Sequence, residues 1–125
     1  MTKRVIAAVA LIAAALAVSC VTLRAVKKTG GALIGFLEEA QTQYKEGGDY
    51  GKPLDQAEQL WNDKRDLLGV LLKHSDTDEI ERYFYQIARL RELGETEDLF
   101  EAVEDCRTSI EVMLRGEDPA ARNIF

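Results

Sequence analysis

Nineteen consecutive residues near the start of the chain carry no charge. The run covers residues 5–23, reads VIAAVALIAAALAVSCVTL and contains seven alanines. As an α-helix it would be about 28 Å long, close to the hydrocarbon thickness of a bilayer. Basic side chains flank it on both sides: Lys3, Arg4, Arg24, Lys27 and Lys28. Because such flanks suit contact with lipid headgroups, the sequence predicts a membrane-spanning signal-anchor helix over residues 5–23, after a short basic tail over residues 1–4.

Three fates of this segment stay open. An uncleaved anchor is favoured by its length and by the basic residues that follow it. A lipoprotein signal is the second, because residues 16–20, LAVSC, resemble a bacterial lipobox and would place a lipid on Cys20. Ordinary cleavage after Ala17 is the third.

Charge is divided unevenly along the chain. Residues 1–28 hold five basic residues and no acidic one, whereas all 22 acidic residues lie from Glu38 onward against 11 basic ones, a net charge of −11 over residues 29–125. Such a domain repels nucleic-acid phosphates and anionic headgroups, which argues against nucleic-acid binding. The basic residues on the two sides of the apolar run nearly balance. The short basic start favours an N-terminus inside the cell and an acidic domain on the extracytoplasmic side of the cell membrane.

Apolar residues recur at helical spacing in four segments after a basic and glycine-containing stretch, residues 24–31, that we expect to act as a juxtamembrane hinge. Gly47-Gly48 and Gly94 are predicted to end the first and third of these helices. Asp76 and Glu79 resemble a capping box at the start of the third. Thr96 is predicted to cap the fourth.

No segment of any length alternates with a period of two, so a sheet is not expected. The chain is predicted to be all-α, with an N-terminal transmembrane helix and then a small antiparallel helical bundle of about four helices, or two hairpins, over residues 32–115. A C-terminal tail covers residues 116–125. Trp61 and Tyr83 lie on apolar stripes and are expected in the core, whereas Tyr85 lies off its stripe and suits a surface.

The residue types do not suggest catalysis. His74 is the only histidine and is placed at the end of the second helix, where it suits the helix dipole. Cys106 lies on an apolar stripe and is expected to be a buried thiol that does not pair with Cys20. The acidic stretch over residues 74–81 lacks the spacing of an EF-hand, so capping is favoured over a cation site. Neither a metal, a cofactor nor an enzymatic activity is predicted.

Two features suit association with a partner. The tail ends in Asn123, Ile124 and Phe125, which would either pack back on the bundle or dock on another protein. Small residues four apart in the apolar run, such as Ala10 and Ala14, permit close approach of a second helix and possible self-association.

The whole pattern resembles a family of small single-pass proteins of Gram-positive bacteria, catalogued as domain of unknown function 4363. The similar stretches are residues 60–74 around Leu60-Trp61, the acidic residues 78–81 and the closing residues 119–125. The resemblance implies a membrane anchor and a helical domain, and it implies no activity.

Together these features predict a non-enzymatic accessory protein. Residues 5–23 would contact the lipid bilayer, and the acidic bundle would bind another membrane or envelope protein. The alternative is a lipoprotein or secreted helical module that binds a small ligand or cation, supported by Cys20 and by the acidic stretch beside His74.

Overall fold

The apolar run and the first helix of the bundle form one uninterrupted helix. In the computed structural model, which describes residues 2–116, helix α1 spans Thr2–Glu46. Its 45 residues extend over about 68 Å. Residues 2–21 are exposed, and Val26 is the first apolar side chain in the core, with 2% of its surface exposed. One half of α1 is therefore bare of protein, and the other half is packed.

The stretch predicted as a hinge, residues 24–31, is helical in the structure. Gly30 is buried there against α4 (Thr96–Gly116), and a Cβ atom at this position would lie 2.6 Å from Cδ2 of Leu114. Gly31 and Gly35 face open space. Gly30 therefore serves as a point of close helix approach.

Two further helices, α2 (Gly51–Leu71) and α3 (His74–Leu93), complete the described chain, and residues 2–116 contain no strand. The turns after α1 and α3 contain Gly47 at φ 72° and Gly94 at φ 73°, a left-handed conformation that favours glycine. Pro53 lies buried in the first turn of α2, where its missing N–H costs nothing. The predicted all-α fold is confirmed.

The start of α3 differs from its prediction. The capping residue is Lys73, and it makes no side-chain cap hydrogen bond. Instead, Thr77 Oγ1 donates a hydrogen bond of 3.1 Å to the carbonyl oxygen of His74. The predicted capping box at Asp76 is therefore wrong, because α3 begins two residues before it. His74 is the first residue of α3 and does not end α2.

The four helices form a closed antiparallel bundle. Helix α1 packs against α2 and α4, and α3 packs against α4 and α2. The connections between successive helices are short, at residues 47–50, 72–73 and 94–95, which forces neighbours to run in opposite directions. The start of the packed half of α1 and the end of α4 therefore meet at the end of the bundle next to the apolar half of α1, as the proximity of Gly30 to Leu114 shows.

The core lies along the axis of the bundle and holds side chains from every helix. Trp61 of α2 is 1% exposed and stacks on Phe84 of α3, with ring centroids 5.6 Å apart. Its indole N–H donates a hydrogen bond to Glu81, which satisfies the one polar group of a buried tryptophan. The prediction of Trp61 as a core residue is confirmed. The fully buried aliphatic and sulfur side chains include Leu33, Leu37, Leu68, Ile80, Leu99, Val103, Cys106 and Ile110.

The same substitution, glycine to alanine, at Gly30 and at the adjacent Gly31 tests the close contact between α1 and α4. Gly31→Ala should raise the free energy of unfolding by about 0.5–1 kcal/mol, because alanine favours the helix and its Cβ meets open space. Gly30→Ala gains the same helix propensity but its Cβ forces the Leu114 side chain to shift, so this variant should be less stable than Gly31→Ala by about 1 kcal/mol. Thermal unfolding followed by Trp61 fluorescence measures both. Equal stabilities would contradict a tight contact at Gly30.

Candidate functional site

The exposed half of α1, residues 2–21, is an apolar surface that no other part of the described chain covers. It is long and apolar enough to cross a membrane, and none of its apolar window is buried within the described residues. Its large side chains are 60–72% exposed and lie on all sides of the helix: Val5, Ile6, Val9, Leu11, Ile12, Leu16, Val18 and Val21. A helix that is apolar all round suits burial in a large core or in a membrane.

The bundle begins where the apolar run ends, with no intervening linker. Thr22, Leu23 and Ala25 are partly covered by the bundle, and Val26 is buried. Cys20, the lipidation candidate, lies on the exposed side of this boundary. The core therefore contains no residue that cleavage after Ala17 or before Cys20 would remove, and all three predicted fates leave the same bundle.

A charged network crosses from α1 to α4 on the side of the bundle. Arg107 makes ion pairs with Glu104 at 2.5 Å and Glu111 at 2.7 Å, and Gln41 Nε2 donates to Glu104 at 2.6 Å. The hydrogen bond from Arg107, followed by that from Gln41, lowers the pKa of Glu104. Glu104 thus stays ionised near neutral pH and links the two helices. This arrangement suits a structural contact rather than proton transfer.

An aromatic cluster closes the end of the bundle that is far from the apolar half of α1. Tyr44 stacks on Phe100 with ring centroids 4.1 Å apart, and Tyr50 meets both rings edge-on. Tyr44 is 38% exposed, so the cluster is partly accessible to solvent. Since it joins α1, the following turn and α4, its evident role is to hold this end together.

Helix α3 carries an exposed tyrosine between two arginines on its outer face. Tyr85 is 68% exposed, as its position off the apolar stripe predicts. Arg82 precedes it by three residues and Arg89 follows by four, so all three share one face. Neither arginine makes an ion pair within residues 2–116. Tyrosine and arginine are the residue types that most often dominate protein interfaces, and we call these three residues the Tyr85 face.

The acidic stretch at the start of α3 is dispersed over the surface. Glu81 accepts hydrogen bonds from Trp61 and Arg65, whereas Asp76 and Glu79 line an open groove between α3 and α4. Among residues 2–116, no group of three or more histidine, cysteine or acidic side chains is placed to hold a metal ion.

Cys106 is fully buried in the core, as predicted. Burial disfavours the charged thiolate and raises its pKa to about 12. The two cysteines are free. A thiol in this state is a packing group rather than a nucleophile.

We predict that Cys106 resists alkylation in the native chain. In a Cys20→Ser background it is the only thiol, and at about pH 8 only on the order of one thiol in ten thousand is ionised. Iodoacetamide should leave the intact mass unchanged until denaturant is added, after which labelling should be complete. A second chain with Cys20→Ser, Cys106→Ala and the exposed position Thr108→Cys controls for the reagent. Full labelling of native Cys106 would contradict its burial.

The tail residues Asn123, Ile124 and Phe125 lie outside the described residues, so their docking role stays a prediction. The chain matches no family model, no curated protein and no solved structure. The resemblance to the family of unknown function likewise stays a prediction, and the function is inferred from geometry alone.

Proposed function

We propose that this chain is a single-pass protein of the cell membrane that serves as a non-enzymatic accessory subunit. The anchor is the apolar half of α1, and the acidic bundle binds another membrane or envelope protein. The observation that carries this proposal is the division of α1 at Val26, since one half contributes to the core and the other is left uncovered by the rest of residues 2–116.

A bilayer explains the exposed half better than a protein partner does. Its large apolar side chains point in every direction around the helix, whereas a second protein helix would cover only one side. Lipid covers all sides, and the length of residues 5–23 matches the hydrocarbon core. The proposed orientation keeps the N-terminus inside and the bundle outside, as the short basic start favours.

The Tyr85 face supplies the candidate contact with a partner. The exposed Tyr85 side chain is amphipathic, and Arg82 and Arg89 beside it, which make no ion pair within residues 2–116, can donate charge-assisted hydrogen bonds. The face suits a protein partner that presents carboxylates. The predicted tail, with Asn123, Ile124 and Phe125, is a second candidate contact.

Membrane extraction tests the anchor. The full chain should stay in the pellet after alkaline carbonate treatment, because a spanning helix is held by hydrocarbon and not by charge. A chain without residues 2–23 should be soluble and unfold at a similar temperature, since the core begins at Val26. An unchanged intact mass supports the uncleaved anchor. A diacylglyceryl-modified chain that begins at Cys20 would establish the lipoprotein alternative instead.

Co-purification from native membranes tests the accessory role. In mild detergent, the full-length chain should retain a membrane or envelope protein at a fixed stoichiometry. Tyr85→Ala should reduce this retention about tenfold or more, the effect of losing one interface hot spot of about 2 kcal/mol. Val70→Ala is the matched control, because Val70 is 83% exposed on α2.

Deletion of residues 123–125 tests the tail separately. Lost retention with an unchanged melting temperature indicates docking, whereas lost stability indicates that the tail packs on its own bundle. A clean preparation of the wild-type chain alone would contradict the accessory role.

A further inference from the structure

The topology brings separate segments of the chain to the membrane-facing end of the bundle. Burial of Val26 and the contact of Gly30 with Leu114 show that other helices reach the level at which the apolar run ends. Helix α2 runs back along α1 over 21 residues, or about 31 Å. The α2–α3 turn at residues 72–73 therefore lies at this same end, beside the end of α4.

Basic side chains from three segments gather at this end. They are exposed, and none makes an ion pair within residues 2–116. The set, which we call the basic end, comprises Arg24, Lys27 and Lys28 of α1, Lys73 of the α2–α3 turn and Arg115 of α4. Within residues 2–116, the carboxylates of Asp76, in the first turn of α3, and Asp78, just after that turn, lie at this end as well.

The opposite end of the bundle has the opposite charge. Six carboxylates lie in or beside the two turns there: Glu46, Asp49, Glu92, Glu95, Glu97 and Asp98. Of the basic side chains at that end, Arg91 is held by Asp55 at 2.5 Å, which leaves Lys45 and Lys52. The bundle is therefore polarised along its axis, although its net charge is strongly negative.

The geometry points to the basic end as a binding surface for the headgroups of anionic phospholipids. This inference rests on the proposal that residues 5–23 span the bilayer, since the anchor then holds the basic end at the headgroup level. Long basic side chains reach phosphate oxygens while their stems stay against apolar surface. The distant carboxylates do not oppose this contact, because the Debye length of about 10 Å is shorter than the bundle.

The overall charge of the domain predicts repulsion from anionic lipid, whereas the position of the basic end is the reason that we infer attraction there. The −11 charge of residues 29–125 is a sum over the whole domain. Only the charged groups within about a Debye length of the lipid surface interact strongly with it. Those groups include Lys73 and Arg115, which are far from the apolar run in sequence.

The experiment uses the full-length chain in vesicles of phosphatidylcholine with a minor fraction of phosphatidylglycerol. After mild detergent extraction, mass spectrometry measures the phosphatidylglycerol that remains bound, relative to its fraction in the vesicle. The test variant is Lys28→Gln, Lys73→Gln and Arg115→Gln, one change per segment. The matched control changes the net charge by the same three units at exposed positions of the opposite end, with Lys45→Gln and Lys52→Glu.

The wild type and the control should be enriched in phosphatidylglycerol. The test variant should lose this enrichment, by up to about fivefold for each basic side chain removed. Equal enrichment around the test variant and the control would overturn the inference. Trp61 fluorescence melting verifies that both variants are folded.

A separate arm distinguishes failure of this inference from failure of the anchor. In vesicles of phosphatidylcholine alone, every variant should resist alkaline extraction, because insertion depends on the apolar run. A wild-type chain that is extracted from these vesicles would overturn the spanning proposal and this inference with it.

Discussion

Helix α1 is exposed over its first half and packed over its second, and the rest of the molecule depends on how its sequence changes between the two halves. Up to Val21 its apolar side chains point in all directions, a pattern typical of helices buried in a large core or in a membrane. From Val26 onward the buried positions narrow to one stripe that includes Leu33, Leu37 and Ala40. The helix continues without interruption through this change, so the bundle and the exposed apolar half share one helix.

The polar contacts between helices align the helices with one another but contribute little to the free energy of unfolding. Gln41 with Glu104 joins α1 to α4, and Arg65 with Glu81 joins α2 to α3. Their side chains are largely exposed, and exposed ion pairs contribute little free energy. The stability comes from the apolar axis, where Trp61 excludes water and has its one N–H satisfied.

Local features of this fold are readable from sequence, and those set by tertiary contacts are not. The ends at Gly47 and Gly94 follow from the backbone freedom of glycine, and the helical stripes follow from a period of 3.6 residues. The start of α3 was predicted wrongly, because Asp76 carries a capping pattern and Lys73 occupies the capping position. A turn of two residues between α2 and α3 determines that start, and sequence pattern does not reveal it.

Of the two candidate binding surfaces, one is predicted by the sequence and the other is visible only in the folded structure. Tyr85 is recognisable because it lies off an apolar stripe, and its exposure is confirmed. The basic end cannot be recognised from the sequence, because the topology is needed to show that Lys73 and Arg115 lie at the same end of the bundle as Arg24. Likewise, Gly30 reads as a flexible joint in the sequence, and only the position of Leu114 shows that a side chain would collide there.

An even number of helices returns the chain to the side from which it started. Helix α4 ends at Gly116, near the level of Gly30 on α1. The nine residues that follow reach at most about 30 Å when fully extended. Under the proposed membrane span, a partner docked on the Asn-Ile-Phe tail would lie within about this distance of the end of the bundle that faces the bilayer.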